Sequence, residues 1–167
     1  GPNSSDLSWY SNSAEDVEVR ACFFDDIFRF GADGSFANVM GSETWLEGWQ
    51  GVDGDQCGAP VAPHDGSATA NYTYDSANST ITLNGSGAHL GLPKVQNNGE
   101  LSGGAEAVTS ITYNVTELAT DGKSMTVQIQ YSGDQTWQYK LVKDQSDAAT
   151  KSVSITKVIE TDAGSPY

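Results

Sequence analysis

The sequence predicts an all-β fold, an antiparallel meander of about nine strands closed as a β-sandwich or a barrel. Three observations carry the prediction. Apolar residues recur with period two over almost the whole chain after residue 16. The 18 Gly and the many Ser, Thr and Asn suit strands joined by tight turns better than helices. Gly and Asp-Gly pairs also punctuate the chain at hairpin spacing.

Taken in order, residues 1–13 are polar and loop-like but carry an aromatic pair, Trp9-Tyr10. Ser13 with Glu15 and Asp16 reads as the capped start of one short helical turn, and no longer helix is expected. Residues 17–30 read as a long strand, turned by Gly31-Ala32-Asp33-Gly34 into a partner at 35–40. A Trp-rich strand follows at 43–50. Residues 51–67 form a long loop, rich in Gly and Pro, of the kind that often carries function. A second hairpin pairs 69–74 with 80–84, with Tyr72, Tyr74, Ile81 and Leu83 expected inward. Residues 89–93 read as a short strand ended by Pro93, and 94–104 as a polar loop. A third hairpin pairs 110–118 with 124–131, so that Ile111, Tyr113 and Val115 face Met125, Val127 and Ile129. A turn at 132–134 leads to a strand at 136–142. Residues 1–143 are expected to form a single β domain. The remainder, 144–167, is expected to be a linker and a C-terminal strand that closes an edge or begins further material.

Length supports one domain with one substantial core. The net charge of −14 repels nucleic acid and anionic lipid, so neither is expected as a partner. It suits a neutral ligand, a cation or a salty medium. Cys22 and Cys57 are expected to form one disulfide, which implies an extracellular, cell-surface or periplasmic location; the alternative is two unrelated buried thiols. No signal peptide and no apolar run near 18 residues is visible, so no membrane insertion is expected and the chain reads as a mature or excised segment.

The candidate site centres on the Trp-rich stretch. Read as a strand, it places Glu43, Trp45, Glu47 and Trp49 on one face. Two indoles between two carboxylates suit a sugar: the rings stack on the C–H face of a pyranose, and the acids accept from its hydroxyls. The alternative is an edge strand whose Trp residues fill the core margin. Trp9, Tyr10 and Trp137 are further aromatic platforms, with His64 and Asp65 as polar partners. Trp137 also shares a face with Tyr139 and Leu141 and is equally placed for the core. Trp9-Tyr10 equally suits a plug at a barrel end, and His64-Asp65 equally suits a turn in which Asp caps the backbone.

Other chemistries find little support. No nucleophile motif and no phosphate loop is present, and the two His and two Cys lack zinc spacing. No catalytic residue, metal or cofactor is assigned, although Asp53-Gly54-Asp55 and Asp25-Asp26 carry oxygen ligands that suit a structural Ca²⁺ as well as turns. Glycoside hydrolysis by Glu43 and Glu47 is the enzymatic alternative. It needs carboxyls about 5–9.5 Å apart, whereas an extended strand separates these Cα atoms by roughly 13 Å.

Four stretches carry a resemblance: residues 21–36 (ACFFDD through FGADGSF), Glu43-Thr44-Trp45, residues 57–67 (CGAPVAPHDGS) and residues 87–94 (GAHLGLPK). Together, within residues 9–143, they resemble an accessory domain of secreted polysaccharide-degradation proteins of marine Bacteroidetes. There it accompanies laminarinase-type glycoside hydrolases and surface glycan-binding proteins. The resemblance implies a non-catalytic carbohydrate-binding module for a neutral polysaccharide, β-1,3-glucan such as laminarin, joined to catalytic or transport domains in a longer chain. It carries over no catalytic residue. Two features depart from the pattern: Trp9-Tyr10 stands where that domain has Trp-Trp, and its preceding Trp-containing strand is absent. A weaker similarity to lipocalin-like domains implies a barrel that binds a small apolar ligand. A purely structural spacer is the remaining alternative.

Overall fold

Aspartates punctuate the strands. Asp33, Asp75 and Asp121 each sit at a hairpin turn and accept a backbone N–H two residues on, from Ser35 at 3.0 Å, Ala77 at 2.9 Å and Lys123 at 3.0 Å. These local bonds hold the carboxyls below the usual carboxylate range; for Asp33 the Ser35 hydroxyl contributes most. Much of the acidity that shapes the composition therefore serves as turn chemistry.

The computed structural model describes residues 6–104, 106–144 and, for the backbone, 153–159. Two short helices lead, α1 (Ala14–Val19) and α2 (Ala21–Phe24). The strands are β1 (Ile27–Phe30), β2 (Ser35–Val39), β3 (Thr44–Leu46), β4 (Gln56–Gly58), β5 (Ala70–Asp75), β6 (Thr80–Asn84), β7 (Val95–Gln96), β8 (Gly99–Glu100), β9 (Ser110–Leu118), β10 (Ser124–Ser132), β11 (Gln135–Lys143) and β12 (Val153–Ile159). Eight of them close into an antiparallel barrel in the order β1-β2-β5-β6-β9-β10-β11-β12, with β12 returning to β1. The order is sequential, so the fold is an up-and-down meander, and closure removes the edges that an open sheet would expose. β3 with β4 and β7 with β8 are small two-stranded ribbons outside the barrel. Among the described residues no helix is long and apolar enough to cross a membrane.

The three expected hairpins form, with Phe30 opposite Phe36, Tyr72 opposite Leu83, and Val127 opposite Val115. The strand at residues 136–142 is β11, and the C-terminal strand is β12, which pairs with both β11 and β1. Of the expected linker, residues 145–149 lie outside the described residues.

Alternation puts Phe28, Leu83, Ile111, Tyr113, Val127, Ile129, Tyr139 and Leu141 inside, all essentially inaccessible. Tyr74 departs from expectation and lies exposed beside the turn of its hairpin. Burying a residue of this size contributes about 1.5–3 kcal/mol.

Further sequence expectations are corrected. Residues 51–67 and 94–104, expected as loops, hold β4 and the β7–β8 ribbon, with Val95 and Gln96 buried. Residues 17–30 are not one strand. The Ser13 cap and its reciprocal Asp16 bonds start a helix that runs on to Val19, and α2 then buries Cys22, Phe23 and Phe24 before β1 begins. Residues 43–50 are not one strand either. β3 ends at Leu46, and Gly48–Gln50 is a 3₁₀ turn fixed by Gln50 accepting from the Glu47 N–H at 3.0 Å. Residues 89–93 are buried without forming a strand, because their backbone bonds go to side chains instead of a ladder. Asn38 Nδ2 donates to His89 O at 2.8 Å, and the Leu90 N–H donates to the Tyr113 hydroxyl at 2.9 Å. This segment fills the barrel: Leu90 and Leu92 are buried, and Gly91, at φ +71°, lies against the Tyr139 ring.

Cys22 and Cys57 form the expected disulfide, with Cα atoms 6.0 Å apart across 35 residues. It ties α2 to β4 and points to folding in an oxidising compartment.

Candidate functional site: an aromatic rim

A chain of contacts runs along one end of the barrel, near the β10–β11 turn. Trp137, half-buried on β11, donates its indole N–H to Glu100 Oε1 at 3.1 Å. Tyr10 leans on it with ring centroids 5.9 Å apart, and Lys94 Nζ lies 5.8 Å from the indole centroid. Lys94 in turn bonds Glu47 Oε1 at 2.7 Å, and Glu47 Oε2 accepts the Trp49 indole N–H at 2.9 Å. On the other side of Tyr10, the Arg20 guanidinium lies 5.5 Å from the Tyr10 ring and 4.7 Å from the Trp45 ring. Each cation–π contact contributes about 0.5–1 kcal/mol. Three half-exposed rings from the N-terminal segment, the 3₁₀ turn and β11 thus form one polar-edged surface.

The structure sorts the nine candidate residues. It joins Tyr10, Glu47, Trp49 and Trp137 in this rim. Trp45 is 6% exposed and forms a floor under Arg20. The shared face expected for residues 43–49 does not exist, because Gly48 ends the extended backbone and the 3₁₀ turn rotates Trp49 out of register with Trp45. Glu43 is exposed and lines a separate cleft of ≈ 540 Å³ between α2, β1 and the start of β3, together with Glu18, Asp25 and the disulfide. Trp9 is 57% exposed. His64 is buried between Trp49 and His89, in edge contact with both. Asp65 caps a turn, accepting from the Ser67 hydroxyl at 2.7 Å and N–H at 3.1 Å. Those bonds, the hydroxyl first, lower its pKa and commit its carboxylate locally.

Arg20 and Lys94 escaped the sequence reading. The signal for both was the scarcity of cations in a chain of net charge −14.

Beneath the rim lies a small polar cavity lined by Asp26, Thr44, Trp45, Gln50, His64, His89, Gly91 and Pro93, among others. Thr44 Oγ1 donates to Asp26 Oδ2 at 2.7 Å. Among the described residues, Asp26 Oδ1, the Trp45 indole N–H and both His64 ring nitrogens have no partner. Burial raises the Asp26 pKa to about 8 despite the Thr44 bond, and burial lowers that of His89 to about 4. It also lowers that of His64. The floor is therefore uncharged near neutral pH. Among the described residues no three His, Cys, Asp or Glu side chains gather to hold a metal. Asp55, one of the calcium candidates, accepts the Gly48 N–H at 3.0 Å.

Compared with protein-family models, with curated proteins and with solved structures, the chain matches none. The functional reading therefore rests on geometry and on the sequence motifs.

Proposed function

We propose that this chain is a non-catalytic glycan-binding module and that the Tyr10–Trp137–Trp49 rim is its ligand surface. The observation that carries the reading is the continuity of half-exposed rings held by Glu47 and Lys94. Fixed aromatic faces give a pyranose a stacking surface, and the carboxylates and ammonium at their edges give its hydroxyls partners. The ligand proposed is a neutral polysaccharide, β-1,3-glucan such as laminarin, in keeping with the net negative charge and the sequence resemblance. The location proposed is the cell exterior or surface, with neighbouring catalytic or transport domains; the disulfide supports an oxidising compartment.

The rival readings find less support. Glu47 is engaged by Lys94 and Trp49 while Glu43 lines another cleft, which gives a hydrolytic pairing of the two less support. The packed barrel interior gives little footing to the lipocalin-like binding of a small apolar ligand. Affinity electrophoresis of the isolated chain in gels containing laminarin, mixed-linkage glucan, alginate or mannan tests the proposal. Retardation by the neutral β-glucans is expected, and unchanged mobility in every gel overturns it. Release of reducing ends, lost in Glu47→Gln, would instead favour the enzyme.

A further inference from the structure

We propose that Arg20 is the specificity-determining donor of this rim, its guanidinium reading the hydroxyls of a neutral sugar unit stacked beside it on Tyr10 and Trp137. The inference rests on the glycan-binding reading and deepens it.

Arg20 is placed for this role by three features. Its guanidinium is held 4.7 Å from the Trp45 ring and 5.5 Å from the Tyr10 ring, so the planar group is fixed before any ligand arrives. Less entropy is then lost for each hydrogen bond it makes. In a chain of net charge −14, it nevertheless has no carboxylate of the described residues at ion-pair distance, and Asp16 acts on it only through longer-range attraction. The only ion pairs among the described residues are Lys94 with Glu47 and Lys123 with Asp121. A guanidinium carries five N–H donors and no acceptor, and no hydrogen bond from this one to another described residue is formed. Finally, the buried Trp45 closes one side, while Tyr10, 42% exposed, leads directly to Trp137. These donors, without a partner among the described residues, therefore border the surface on which a sugar ring would stack.

The charge balance favours hydroxyls over an anionic group. A polyanionic glycan meets the repulsion of the whole chain, and the second rim cation, Lys94, is already neutralised by Glu47. Hydroxyl oxygens accept from a guanidinium fork without either penalty.

Calorimetric titration with laminarin-derived oligosaccharides tests the assignment in the wild type, Arg20→Met, Arg20→Lys and Trp137→Ala, at low and high salt. Methionine retains a stem to cover Trp45 and removes the donors, and the thermal melt of each variant checks its fold. Arg20→Met is expected to weaken binding by about tenfold or more. Arg20→Lys, which keeps charge without the fork, should recover only part, and wild-type affinity should change by less than about twofold with salt. Wild-type affinity in Arg20→Met, with loss in Trp137→Ala, overturns the role of Arg20 and leaves the glycan reading standing. Should Arg20→Met not fold, full affinity in Arg20→Lys overturns the fork. A steep fall with salt overturns the neutral ligand. A wild type that binds none of laminarin, mixed-linkage glucan, alginate and mannan overturns both readings.

Discussion

Trp137 and Tyr139 lie two residues apart on one face of β11, their rings within 7° of parallel and 6.5 Å apart. Tyr139 is wholly buried against Gly91, whereas Trp137 is half-exposed and meets Glu100, Lys94 and Tyr10. The same strand and face thus serve two purposes, because the segment around Leu90 fills the barrel beside one ring and ends before the other. Inside, side chains are held by packing and neutral hydrogen bonds. At the rim, they are held by each other and by ions, and the rings stay partly exposed.

Substitutions should separate the two regions. The largest effect expected is from opening the Cys22–Cys57 bridge, which fastens α2 to β4 beside the rim. Closing a loop of 35 residues constrains the unfolded chain, and the double Ser variant should lose about 4 kcal/mol in urea denaturation. Ready thiol labelling of the unreduced wild type would remove the bridge from the account. Next is Gly91→Ala: a Cβ there meets Tyr139 ring atoms, and the backbone is left-handed at φ +71°. Strain and overpacking together should cost about 2–4 kcal/mol of stability. Glycan affinity of the folded fraction should persist; its loss would show that interior and rim are one unit.

The polar floor gives a pH signature. The folded-state pKa of Asp26 is raised from 3.8 to about 8, so its contribution to stability is complete below about pH 4 and is lost as pH rises through 8. That of His89 is lowered from 6.5 to about 4, so its contribution is complete above 6.5 and is lost as pH falls through 4. Each group changes stability by at most about 1.4 kcal/mol per pH unit. In Asp26→Asn, the decline of the urea midpoint toward pH 8 should flatten; an unaltered profile would mean that Asp26 is charged in the folded protein.

The smallest stability effects belong to the rim. Trp137→Ala should weaken glycan binding by about 1–3 kcal/mol while lowering stability less than Tyr139→Ala does. Trp9→Ala should leave stability within about 0.5 kcal/mol, and unchanged affinity as well would confine the platform to Tyr10, Trp49 and Trp137.

Much of the fold was legible because hairpins are local. Asp-Gly turns specify β1–β2 and β9–β10, and the Asp75–Ser79 turn specifies β5–β6, each with period-two flanks within a few residues of sequence. The Ser13 cap was legible for the same reason, but the helix it starts was not. Val17 and Val19 fit a strand pattern equally well, and cap and tertiary context decided. The Trp-rich stretch misled because alternation assumes extended backbone throughout, whereas Gly48 and Gln50 close a turn. His64 was read as a surface partner because a lone His gives no local sign of burial.

By itself the sequence determined an all-β chain, the places of its hairpins, the two cysteines open to pairing and the aromatic residues available for a surface. All of these follow from neighbours along the chain or from residue chemistry alone. Tertiary structure decided that the meander closes through β12, that residues 89–93 fill the barrel, and that Arg20, Tyr10, Trp137, Lys94, Glu47 and Trp49 meet. Those outcomes rest on contacts between residues far apart in sequence, and their free energy appears only when distant side chains compete for one interior and one rim.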